Sequence, residues 1–97
     1  MKRSMHAGAS QDVADAVDFY TQNAGAHIAT RFLNEFERVA RLLIDNPGFG
    51  TPTTLGRRSY PLHAFPYSVV YRAQGETIRF LIVRHQSRKP GYASHRH

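Results

Sequence analysis

The hydrophobic period of this chain changes once, at Asn46-Pro47-Gly48, and that change bounds what it can fold into. Before the break, apolar residues recur at helical spacing. In SQDVADAVDFYTQ, residues 10–22, Val13, Ala16, Val17 and Tyr20 share one helical face, with Asp12, Asp15 and Asp18 largely off it. Ser10 reads as the N-cap, and acids in the first turn suit the helix dipole. Residues 23–25 end this helix. Residues 26–45 repeat the pattern more strongly: Ile28, Ala29, Phe32, Leu33, Phe36, Val39, Ala40 and Leu43 make one continuous stripe. Asn-Pro-Gly then stops the second helix. Two helices with a short joint predict an antiparallel hairpin.

After the break the period falls to two. Residues 59–63 alternate, with Tyr60 and Leu62 on one face, and Pro61 cannot donate to a ladder, so this segment reads as an edge strand. Phe65-Pro66 is a break. Residues 67–72, YSVVYR, are rich in β-branched and aromatic side chains and read as a strand. Gln74-Gly75 supplies a turn. Residues 77–84, TIRFLIVR, are apolar on both faces in their middle, as a central strand packed on helices requires. A further strand around residues 3–7 would extend the sheet. The expected fold class is α+β: one domain over residues 1–97, with an N-terminal helical hairpin packed on one face of a small antiparallel sheet.

Charge divides at the same place. Residues 1–46 hold five Lys/Arg against six Asp/Glu, a net −1; residues 47–97 hold eight against Glu76 alone, a net +7. A nearly neutral half joined to a strongly basic half predicts a scaffold with a surface for a polyanion, nucleic acid or acidic protein. The chain has no cysteine, which excludes disulfides and thiolate metal sites and is compatible with a reducing cytoplasm. No apolar run approaches the ~20 residues that span a bilayer. MKRSMHAG has basic residues but no apolar stretch after them, so it is not a signal peptide. The expected location is cytoplasmic, with no membrane partner.

The chain resembles the RelE/ParE superfamily of toxins from type II toxin–antitoxin modules, often called plasmid-stabilisation proteins. The resemblance rests on the acidic first helix with Phe19-Tyr20, on Ala29 with Arg31-Phe32-Leu33, on Asn46-Pro47 with a following glycine, and on Gly56-Arg57-Arg58 entering the sheet. Its most specific parts are FPYSVVYR, residues 65–72, and HQSRKPGY, residues 85–92. It implies a compact fold of the microbial ribonuclease type and a cognate antitoxin encoded beside the toxin. It also implies one of two activities: cutting ribosome-bound mRNA in the A site, or poisoning DNA gyrase without cutting RNA.

Metal-free RNA cleavage needs a base for the 2′-OH proton, an acid for the leaving 5′-oxygen, and cations on the phosphate. Residues 85–92 hold one of each kind: His85 as base or acid, Arg88 to grip phosphate oxygens, and Tyr92 to stack on a base or donate a proton. The spacing of Arg88 and Tyr92 from the last strand is similar to that in the ribonuclease branch. That branch usually carries an arginine where this chain has Ser68, and a tryptophan where it has Ala93. Arg57, Arg58, Arg72 and Lys89 are the expected phosphate-binding residues. Leu42 and Ile44 lie off the helical stripe and are the expected antitoxin contacts. His85, His95 and His97 lack a companion carboxylate, so neither a metal nor another cofactor is expected.

Overall fold

The stripe of the second helix buries as its spacing requires. Ala29, Phe32, Phe36, Val39, Ala40 and Leu43 are all buried, and all but Ala29 share one cluster with Val69, Tyr71, Ile78, Phe80 and Val83 of the sheet. The computed structural model describes residues 1–87 and 91–97. In chain order its elements are β1 (Lys2–Met5), α1 (Ala7–Ala24), α2 (Ala26–Asp45), β2 (Thr51–Pro52), a short 3-10 turn at Thr54–Gly56, β3 (Arg58–Pro61), β4 (Tyr67–Gln74) and β5 (Thr77–His85). The sheet order is β1-β5-β4-β3-β2, with β1 parallel to β5 and the other pairs antiparallel. Two N-terminal helices on one face of a mostly antiparallel sheet is the expected α+β architecture. Among the described residues, no helix is long and apolar enough to cross a membrane.

Three expectations need correction. The first helix does not start at Ser10. Its N-cap is His6, whose Nδ1 accepts a 2.8 Å bond from the Gly8 N–H, the task that Ser or Asp usually performs. Its first turn therefore holds no acid. The segment around Pro61 is not the sheet edge throughout, because β2 pairs outside it through Thr51 and Pro52. That pairing stops at Ser59, so Pro61, paired with Ser68 of β4 on one side, has no β2 residue on the other, where its missing N–H costs nothing. Leu33, placed in the core stripe, is 39% exposed.

The double-sided apolarity of residues 77–84 has a geometric cause. Val70 pairs with Ile82 while Tyr71 pairs with Phe80, so β5 carries an extra residue, Leu81, in a bulge. The bulge turns Phe80 and Val83 towards the helices and Leu81 and Ile82 towards a second cluster, with Val70, on the outer face.

Acid should loosen this fold in two windows. Desolvation first, then the charges of Arg79, Arg96 and His95, lower the His6 pKa below its ordinary 6.5. The neutral ring is the form that caps α1. Its contribution is complete above the ordinary value and is lost as pH falls through the lowered folded value. Glu37, bonded by Arg3 of β1 at 2.8 and 2.9 Å, and Glu35, bonded by Arg38 and by the His63 N–H, are both held below their ordinary 4.5. Their contributions are complete above that value and go as pH falls further. Amide exchange at Gly8 and Ala9 should quicken in the first window, before global unfolding begins in the second. His6→Ala should abolish the first step only.

Candidate functional site

Strand β1 leaves β5 after Phe80, where the His6 N–H donates to the Phe80 carbonyl. Among the described residues, the rest of that β5 edge, residues 81–85, has no strand beside it. Helix α1 crosses there instead, and its buried face is made of Ala9, Asp12 and Ala16. The two alanines leave room for Asp12 to reach the open edge. Asp12 Oδ2 accepts from the Val83 N–H at 3.0 Å. The Arg96 guanidinium donates to Asp12 Oδ2 at 2.6 Å and to the Leu81 carbonyl at 3.2 Å. The Tyr92 hydroxyl donates to Asp12 Oδ1 at 3.2 Å. Side chains thus satisfy an edge that a sixth strand would otherwise cover. The ion pair is nearly dry, with side-chain exposures of 12% for Arg96 and 7% for Asp12, and the bond to Asp12 raises the Arg96 pKa.

Beside this cap lies a hollow of about 210 Å³, lined in part by Asp15, Phe19, Tyr67, Arg84, His85 and Tyr92. It brings together two of the three expected catalytic residues. His85 sits at the end of β5 with its ring edge-on to Tyr67, centroids 5.2 Å apart. Its Nδ1 accepts from the Ser87 N–H at 3.1 Å and lies 2.8 Å from the Ser87 hydroxyl. The neutral ring therefore carries its hydrogen on Nε2, which donates and cannot take a proton. The third residue, Arg88, lies outside the described residues, as does Lys89.

The remaining expected residues do not join this hollow. Arg58 stands opposite Tyr71, four residues along β4 from the Tyr67–His85 pair, or roughly 13 Å at strand rise. It donates to the carbonyls of Gly48 and Gly50, bracing the loop after α2. Arg57 is only 4% exposed and donates to the carbonyls of Ser94 and Arg96. As it stands, Arg57 is covered and offers no surface to a phosphate. Arg72 donates to the Leu55 carbonyl at 3.1 Å on the outer sheet face. Leu42 and Ile44 are half-buried, and Ile44 packs against the core. More open apolar surface is at Phe19 (54% exposed) and Phe49 (57%). Arg58 and Tyr92 serve separate ends of the sheet.

Sequence reasoning missed Asp12, Arg96 and Gly8. A Cβ at Gly8 would stand 2.5 Å from Arg96 Nε, so the missing side chain is what seats the guanidinium. One signal was available. Ala9, Asp12 and Ala16 share a helical face, and an acid between two alanines on one face is a place where a buried carboxylate fits.

Known proteins resemble this chain in sequence and in fold. A family profile described as "ParE toxin of type II toxin-antitoxin system, parDE" matches residues 4–90. Among solved structures, the chain is similar to one titled "Chromosomal ParDE TA system from P. aeruginosa", with a TM-score of 0.78 at 24% identity. That match covers 88% of this chain and 95% of the other. No curated protein sequence matches significantly.

Proposed function

This chain belongs to the ParE toxin family of type II toxin–antitoxin systems, and from that premise we propose that it arrests growth by binding DNA gyrase rather than by cutting mRNA. The observation that carries this reading is the state of the two proton-bearing side chains in the hollow. The Tyr92 hydroxyl donates inward to a buried carboxylate, and His85 Nδ1 closes a turn with Ser87. A ribonuclease needs such groups turned towards its substrate. Ser68 adds support, since the cleaving branch places an arginine there. A cognate antitoxin encoded beside the gene neutralises the toxin on this reading. Leu42 and Ile44 remain candidates for that contact, and Phe19 and Leu33 offer it more open apolar surface.

Purified toxin should inhibit gyrase supercoiling, while induced cells keep intact transcripts. Breaks within translated codons by primer extension, with supercoiling untouched, would reverse the conclusion. That outcome is the second reading, favoured by the fact that Arg84, His85 and Tyr92 share one hollow.

Tyr92→Phe separates the two. It removes one bond to Asp12, at a cost of about 1 kcal/mol in stability. Per folded molecule, gyrase inhibition should persist within about twofold, since less than half a kcal/mol then separates the proteins. A cleaving enzyme that uses the phenol for proton transfer would instead lose about 10²–10⁴-fold.

A further inference from the structure

On the outer sheet face, Arg72 of β4 stands directly opposite Arg79 of β5, and Ser4 of β1 stands directly opposite Arg79 on its other side. One strand further, just before β3, lies Arg57, close enough for the charge of Arg72 to lower its pKa after burial has done so. Three guanidinium groups thus form a row across adjacent strands, which are ~4.8 Å apart. Like charges in opposite positions destabilise a sheet. Among the described residues the ion pairs are Arg3–Glu37, Arg38–Glu35 and Arg96–Asp12, and none involves the row. Arg57 is 96% buried, and its Nε has no hydrogen-bond partner among the described residues. A buried cation with an idle donor is costly unless an anion meets it.

Each member of the row at present holds an oxygen of this chain. Arg57 donates to the carbonyls of Ser94 and Arg96, Arg72 to that of Leu55, and Arg79 to the Ser4 hydroxyl and to a backbone oxygen of His97, the last residue of the sequence. Residues 91–97 are laid over the Arg57 and Arg79 members of the row by two devices. Tyr92 and Ala93 pack on Val70, Leu81 and Ile82, and Arg96 is seated against Gly8 and paired with Asp12. A charged oxygen makes a shorter and stronger bond to guanidinium than a carbonyl does.

We propose that Arg57, Arg72 and Arg79 form a track for the phosphodiester backbone of a nucleic acid, and that residues 91–97 cover it as an internal stand-in which the nucleic acid displaces. The row presents donors only. A phosphodiester backbone presents acceptors, whereas an acidic peptide would bring backbone N–H groups that the row cannot satisfy. Ser4 and Ser68 add hydroxyls on the same face, and arginine with serine is a common partner set for phosphate. None of the three arginines lines the hollow, so substituting them tests the track without touching the residues on which the gyrase reading rests.

The test is fluorescence anisotropy with the full chain, using a labelled DNA duplex and a labelled single-stranded RNA over a salt series. At least one should bind, with log affinity falling against log salt at a slope of about −2 to −3 for three phosphate contacts. Arg72→Ala and Arg79→Ala should each weaken binding and reduce that slope by about one. Arg41→Ala, on the exposed face of α2, should change neither. Gly8→Ala puts a Cβ where the Arg96 guanidinium sits, at a helical position that favours alanine. It should unseat residues 91–97 and raise affinity several-fold. Which probe binds tighter tells DNA from RNA. No binding by either probe, or binding indifferent to Arg72 and Arg79, overturns the track. Tighter binding of poly-glutamate with the same arginine dependence replaces it with an acidic-protein site. Unchanged affinity in Gly8→Ala overturns the covering role.

Discussion

Asp12→Ala should cost about 3–5 kcal/mol of folding free energy, read as a lower urea midpoint at unchanged slope. The carboxylate answers three donors at once: the Val83 N–H, the Tyr92 hydroxyl and the Arg96 guanidinium. Alanine leaves a buried backbone donor without a partner and a guanidinium without its anion. A domain of this size has only about 5–15 kcal/mol in total, so the variant should be partly unfolded near body temperature. Asp12→Asn should cost less, because an amide oxygen still accepts from Val83. Arg96→Ala in the Asp12→Ala background should recover part of the loss, since no charge is then stranded. A cycle of these variants with no coupling between Asp12 and Arg96 would show that the pair acts as two surface charges.

Tyr71→Phe should cost about 2–3 kcal/mol, the second-largest effect expected. The Tyr71 side chain is fully buried, and its hydroxyl donates to the Pro47 carbonyl at 2.7 Å and accepts from the Gly50 N–H at 2.9 Å. One oxygen ties the loop that leaves α2 to the middle of the sheet. Phenylalanine keeps the packing and strands both loop groups. Gly50→Ala attacks the same joint from the other side. Its Cβ would stand 2.6 Å from the Tyr71 hydroxyl and 2.9 Å from Arg58 Cβ, and neither atom has room to retreat. Thermal melts should show a similar loss for each variant alone, and little more for both together. Full additivity would mean that loop and tyrosine are held separately.

Much of the architecture is legible because it follows local rules. The α2 stripe, the stop at Asn46, the turn after Gln74 and the interior place of β5 all come from side-chain period and from proline and glycine chemistry within a few residues. The start of α1 was misread because histidine took the capping task of serine. The Leu81 bulge was legible only as a run too apolar for one face. The candidate site was legible in part. His85 and Tyr92 do share a hollow, as neighbours at the end of one strand should. Their hydrogen bonds were not foreseen, since the partner of Tyr92 lies 80 residues upstream.

By itself the sequence determined the two helices, the strands, the basic second half and the family, because period, turn chemistry and motif order are properties of neighbouring residues. Only the tertiary structure decided that Asp12 is buried, that Arg57 is covered and that Arg72 faces Arg79. Those outcomes depend on which distant segments meet, and a charged residue reads the same in sequence whether water, a carbonyl or a carboxylate finally surrounds it.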